Sequence, residues 1–232
     1  MALIILWDID HTLIDNAGVS KEIYAAAFEA VAHCQPSGPA VTAGRTDRLI
    51  MREMFDRDGL AQPAWNTVQA ALEAAGRERL EELRLRGRAL PGARDALIAV
   101  AQEPGIISSV LTGNIAANAR MKLAAFGLEG LVDLEVGAYG ADYLERAALV
   151  PVACDRIRAA YSVPEGTAVA LIGDTPRDVE AALTNSARIV AVATGVNSAA
   201  ELREAGATVV LADLIDTTAL IAHLKSWASE HH

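Results

Sequence analysis

Apolar residues fall along this chain in two rhythms, and the change between them divides it. Leu3-Ile4-Ile5-Leu6 is a short, continuously apolar run, which predicts a strand buried on both faces. From Val19 to about Ala32 the rhythm becomes helical, with Val19, Ile23, Ala27 and Ala30 on one face. Pro36, Gly38 and Pro39 break it. A second helix is predicted from near Thr46, carrying Ile50 and Met54. A third starts at about Ala64, places Trp65, Val68, Leu72 and Ala75 at helical spacing, and continues weakly to Leu85. No strand is predicted between residues 16 and 90.

Pro91-Gly92 marks a return to the first rhythm. Ala93, Leu97 and Val100 give an amphipathic helix, and Ile106 to Leu111 a strand that Thr112-Gly113-Asn114 ends. The next helix carries Ile115, Ala119, Leu123 and Phe126 on its apolar face, with Asn114 as the expected N-cap and Gly127 at its C-terminus. Leu131 to Val136 reads as a strand and Arg146 to Tyr161 as a helix. Thr167 to Ile172 is another buried strand, followed by Gly173-Asp174-Thr175-Pro176, with Pro176 suited to a helix start. Arg188 to Ala193 and Thr208 to Leu211 supply two further strands, and a helix from about Thr217 to Ala228 closes the chain. Strands alternating with helices predict an α/β fold built on a doubly wound parallel sheet. Residues 1–15 and 91–232 would form this core, with residues 16–90 an all-helical insertion.

Composition narrows the function. Of 232 residues, 52% are hydrophobic and 22% charged, enough for a sizeable core. A net charge of −10 argues against a nucleic-acid partner, which needs a basic face. The first apolar run is too short and lacks the basic flank of a signal peptide, and nothing else approaches a membrane span. Cys34 and Cys154 have no metal-ligand or disulfide spacing, so a soluble cytoplasmic protein with reduced thiols is expected. The closing His231-His232 reads either as native sequence or as the remnant of a tag.

The chemistry gathers where predicted strands end. Asp8 and Asp10, one residue apart, follow the first strand, and ligands of open parallel sheets bind at such strand ends. Like charges held this close need a cation, a shared proton or open water, so Asp8-Ile9-Asp10 is a candidate for Mg²⁺ and a phosphate. Thr112, Gly113 and Asn114 end a second strand, and Asp174 and Asp178 follow a third.

On these residues the chain resembles the haloacid dehalogenase superfamily, in its phosphoglycolate phosphatase-like branch. Asp8, Asp10 and Thr12 match that superfamily's Asp-x-Asp-x-Thr motif, Thr112 its Thr/Ser motif, and Gly173, Asp174 and Asp178 its Gly-Asp-x-x-x-Asp motif. The helical block stands where the branch inserts a helical cap. The resemblance implies a Mg²⁺-dependent phosphatase in which Asp8 is the nucleophile and Asp10 the general acid and base. Asp8, the Asp10 carbonyl and Asp174 would hold the ion, with Asp178 a further ligand or a partner of the ligands. Thr112 and the amides of Gly113 and Asn114 would bind the phosphoryl oxygens. The expected substrate is a small phosphorylated metabolite, and the expected state a monomer or homodimer.

The chain departs from the family pattern twice. None of its three lysines, Lys21, Lys122 and Lys225, falls where the family places one before the last motif. Arg146 is the best match there, as a phosphate-binding cation or a solvated helix-end residue. Lys122 reads as a surface residue. His11 stands where many relatives have glycine; it tolerates positive φ and is a candidate substrate contact. Arg45, in the polar break Gly44-Arg45-Thr46-Asp47, either reads the substrate beyond its phosphate or belongs to a plain helix start. Trp65, Met51 and Met54 read as cap core. Competing activities are a β-phosphoglucomutase-like phosphomutase, a 2-haloacid dehalogenase, which Asp10 argues against, and a non-catalytic binding protein.

Overall fold

In the computed structural model, which describes residues 2–229, Leu3–Trp7 forms the central strand β1, every residue of it buried. His231-His232 lies outside the described residues. The chain continues through β2 (Ile14–Asp15) into four helices: α1 (Val19–Ala32), α2 (Asp47–Arg57), α3 (Trp65–Glu78) and α4 (Leu80–Arg86). It returns through β3 (Arg88–Ala89), α5 (Ala93–Gln102), β4 (Ile106–Leu111), α6 (Ala116–Ala125) and β5 (Asp133–Ala138). It ends with α7 (Leu149–Tyr161), β6 (Ala168–Gly173), α8 (Pro176–Thr184), β7 (Arg188–Val192), α9 (Ala199–Glu204), β8 (Val209–Leu211) and α10 (Thr217–Ser229).

Six strands form one parallel sheet in the order β5-β4-β1-β6-β7-β8. Alternation within β1 feeds both faces, as strand geometry requires. Leu3, Ile5 and Trp7 join the core cluster that includes residues of α5 and α10, while Ile4 and Leu6 join the one made by α7, α8 and α9. This is the predicted doubly wound α/β core. Its register aligns the strand ends: Trp7 lies opposite Val110 of β4 and Ile172 of β6. The residues after all three strands therefore emerge at one edge of the sheet.

The helices α1–α4 share a third apolar cluster, in which Met51 and Met54 are buried as expected and Trp65 packs partly buried. Ile115 of the core, fully buried, inserts into it. The two passages between helices and core pair with each other: Ile14 lies opposite Ala89 and Asp15 opposite Arg88, antiparallel.

Several expectations are corrected. Arg88–Ala89 is a strand inside the stretch expected to hold none; two residues show no alternation to detect. The third helix breaks at Arg79, and α4 turns Leu83 into the apolar cluster while Leu85 stays 85% exposed, which explains the weak periodicity there. The strand expected from Leu131 begins at Asp133, because Glu129–Leu131 forms a 3-10 turn. Arg146–Ala148 is likewise a 3-10 turn ahead of α7. Asn114 does not cap α6: Ile115 holds that position, and no side chain caps the helix.

Candidate active site

The turn after β1 is tight. His11 adopts φ 61°, the left-handed region, its N–H donates to the Ile14 carbonyl (2.7 Å), and its own carbonyl accepts from the Thr194 hydroxyl. Asp8 is fixed at the strand end by its N–H donating to the Ile172 carbonyl (2.8 Å). Fully buried Thr12 donates its hydroxyl to Asp174 Oδ1 (3.2 Å), tying the first motif to the third.

One carboxyl oxygen each from Asp8, Asp174 and Asp178 lies within 4.8 Å of the others, and all three residues are buried. One guanidinium serves the cluster. Arg146 Nη2 is 3.0 Å from Asp8 and 2.5 Å from Asp178, and donates to the Leu111 carbonyl (3.3 Å). Arg146 is buried, which excludes the solvated reading. Asp178 is also engaged as the capping box of α8: its Oδ2 accepts from Thr175 N–H (3.0 Å) and hydroxyl (2.7 Å). Both Asp178 oxygens thus have partners.

The electrostatics come from this imbalance. Burial raises Asp8 to about 6; Arg146 opposes the shift, while Asp178 and Asp10 add to it. Burial, Asp8 and Asp178 push Asp174 well above the ordinary carboxylate range. Burial lowers Arg146, but Asp178 and Asp8 outweigh it and hold the guanidinium firmly charged. Three buried carboxylates around one arginine leave an excess of negative charge, and their oxygen donors suit a hard divalent cation.

Asp10 sits in the opposite surroundings. Its Oδ2 accepts from Lys122 Nζ (2.6 Å) and Asn114 Nδ2 (2.8 Å), and its Oδ1 from Asn16 Nδ2 (2.6 Å). Burial pushes its pKa up, yet Lys122 and these hydrogen bonds bring it below the ordinary value. Asn114 Oδ1 also accepts from Lys122 (2.6 Å), and its Nδ2 reaches Thr112 Oγ1 (2.8 Å). That is why the side chain does not turn back to cap α6.

Lys122 is therefore not a surface residue: it is 2% exposed. The signal was present in its position, three residues beyond Ala119 and seven beyond Ile115, inside the apolar stripe of α6. The rule that a lone lysine faces solvent overrode it. Asn16 was missed as well.

The helical layer closes on the core at Gly113. A Cβ there would collide with the Arg45 carbonyl oxygen, so glycine is what lets the two backbones meet. The Gly113 carbonyl accepts from Asp47 N–H (2.7 Å), and the Thr46 hydroxyl donates to the Leu144 carbonyl (2.7 Å). Asp47, 1% exposed, accepts from the Tyr24 hydroxyl (2.6 Å) and from Ile115 N–H (2.8 Å). Burial raises Asp47 to about 6 even against these two bonds. A cavity of about 250 Å³ remains between the layers, lined by Asp8, Asp10, Asp174, Thr112, Gly113, Asn114 and Arg146 on one side. His11 and Arg45 line it too, with Arg45 Nε held 3.1 Å from Glu53. Of the predicted site residues, only Asp178 does not line this cavity.

A doubly wound sheet with an acid cluster over its central strand ends defines an α/β enzyme with a centre suited to a metal ion. The model of the haloacid dehalogenase-like hydrolase family matches residues 5–183, and the chain belongs to that family. No curated protein sequence matches it. Among solved structures, a predicted phosphatase from Clostridium acetobutylicum superposes with a TM-score of 0.68 at 17% identity, covering 96% of this chain and 99% of that one. A hydrolase from Pseudomonas syringae gives 0.64 at 22% identity, with 98% and 99% covered. A β-phosphoglucomutase candidate from Bacteroides vulgatus gives 0.68 at 16%, with 99% and 91% covered. No helix among the described residues is long and apolar enough to cross a membrane.

Proposed function

We propose that this hydrolase is a Mg²⁺-dependent phosphatase acting on a small phosphate monoester through an aspartyl-phosphate. The observation that carries the reading is the place of Asp8: in a cavity between two layers, within a cluster of carboxylates too negative for its single arginine. Asp8, Asp174 and the Asp10 carbonyl would hold the ion, with Asp178 anchoring Arg146 and α8. The bound ion would neutralise charge on the transferring phosphoryl group and orient it.

An Asp8 carboxylate oxygen attacks phosphorus and the bond to the ester oxygen breaks. That oxygen leaves with a proton from Asp10. A phosphate ester loses its second proton near pH 6, so a monoanionic ester can bring this proton to Asp10. Water then attacks the phosphoryl group, Asp10 takes the proton, and phosphate and free Asp8 result. Thr112 and the Gly113 amide would bind phosphoryl oxygens, with Arg146 supplying the nearby positive charge. A cavity of about 250 Å³ favours a metabolite-sized substrate, and the net charge of −10 disfavours nucleic acid.

The test is phosphate release from p-nitrophenyl phosphate in Mg²⁺, which Asp8→Asn abolishes if the reading holds. Undiminished turnover in that variant removes Asp8 as nucleophile. A phosphomutase is the second reading, since the structural similarity extends to a β-phosphoglucomutase candidate. Isomerisation of a sugar 1-phosphate without net phosphate release would favour it.

A further inference from the structure

Lys122 is a buried cation that the reaction at Asp8 does not touch. It lies in the apolar stripe of α6 and is not one of the residues that line the cavity. A buried ammonium is costly unless its donors are taken. Its Nζ donates to Asp10 Oδ2 and to Asn114 Oδ1, both at 2.6 Å. An ammonium only donates, so it fixes the face of the Asn114 amide. Asn114 Oδ1 meets the lysine, and Nδ2 is left to serve Asp10 Oδ2 (2.8 Å) and Thr112 Oγ1 (2.8 Å).

The two carboxylate oxygens of Asp10 are then unlike. A carboxylate oxygen accepts about two hydrogen bonds. Among the described residues, Oδ2 has both, from Lys122 and Asn114, whereas Oδ1 has one, from Asn16 (2.6 Å). Asp10 and Asn16 both line the cavity. We propose that Lys122 is a positioning residue for proton transfer to the leaving group. By saturating Oδ2, directly and through Asn114, it leaves Oδ1 as the oxygen that carries the proton. When the bond from phosphorus to the ester oxygen breaks, the proton passes from Oδ1 to that oxygen and Asp10 remains a carboxylate. That the ester is cleaved rests on the function proposed above; what is added is that Lys122 governs the leaving-group step without meeting the substrate.

A leaving-group comparison in Mg²⁺ tests this. p-Nitrophenolate is a stable anion and departs without a proton, whereas the alkoxide of benzyl phosphate needs one. The two esters are similar in size, and kcat/KM reports the steps through formation of the aspartyl-phosphate. Lys122→Met is expected to lower kcat/KM for benzyl phosphate by about 100-fold, the lower end of what a positioned acid contributes, and for p-nitrophenyl phosphate by about fivefold or less. In an Asp10→Asn background the same substitution should change the ratio between the two esters by less than about twofold, because the group it acts through is gone. The rise in thermal midpoint on adding Mg²⁺, measured on Lys122→Met, monitors the acid cluster and should persist. Equal losses on the two esters, a ratio that still shifts in the Asp10→Asn background, or loss of the Mg²⁺ response in Lys122→Met would overturn the positioning role and leave the phosphatase standing. A parent chain that cleaves only p-nitrophenyl phosphate overturns it too, because no acid is then at work. A parent chain that releases phosphate from neither ester removes the phosphatase reading and this role with it.

Discussion

Asp8 and Asp10 are two residues apart, yet the protein treats them in opposite ways. Asp8 shares one arginine with two other buried carboxylates and is raised to about 6. Asp10 accepts from a lysine and two amides and is lowered. The deficit of positive charge around Asp8 is where a divalent ion and a phosphoryl group can be accommodated. The surplus of donors around Asp10 fixes its side chain through both carboxylate oxygens. Two carboxylates of the same type thus acquire opposite proton affinities from their neighbours alone.

The largest expected effect breaks the first half of this contrast. Asp8→Asn should lower phosphate release by about 10³-fold or more, measured with p-nitrophenyl phosphate under saturating Mg²⁺.

Removing each cation compares the two halves directly. Arg146→Met leaves three carboxylates facing one another and should cost about 4 kcal/mol in urea unfolding without metal. Lys122→Met should cost less, about 3 kcal/mol or below, because the Asp10 side chain is 23% exposed and keeps two amide donors. A larger loss for Lys122→Met would reverse that ranking.

Adding the ion should sharpen the contrast. At a hundredfold excess over its dissociation constant, Mg²⁺ should stabilise the protein by about 2.7 kcal/mol, read as a rise in thermal midpoint. Asp174→Asn should remove most of that rise, whereas Lys122→Met should leave it.

The smallest effect concerns Asp47, outside both halves. Its folded pKa, about 6, stands above the ordinary aspartate value of 3.8. The folded state therefore binds a proton more readily than the unfolded one. Stability from this residue is full below about pH 4 and is lost as pH rises through about 6, about 2 kcal/mol of it between pH 4 and 6.5. Urea midpoints of Asp47→Asn should therefore fall less than those of the parent chain between pH 4 and 6.5. Parallel pH profiles would show that Asp47 makes no such contribution.

The sheet was legible because β1 and β6 are continuous apolar runs and β4 is apolar at both ends, each followed by polar residues. The convergence of Asp8, Thr112 and Asp174 comes from parallel register, which places residues after Trp7, Val110 and Ile172 at the same height. Contacts made across the two layers were not legible. Lys122 meets Asp10 from 112 residues away, and Asp47 meets Ile115 from 68. No local period encodes such a meeting. Asn114 was assigned to its own helix because capping is a local rule, and the distant Asp10 and Lys122 outcompeted it.

The paired passages Ile14–Asp15 and Arg88–Ala89 have a mechanical consequence. Joined side by side, they make the helical layer meet the sheet through a two-stranded ribbon rather than through two independent threads. Parting the four-helix layer from the sheet would also require release of the Asp47–Ile115 and Thr46–Leu144 bonds, so the ribbon and these bonds hold the layer at separate places.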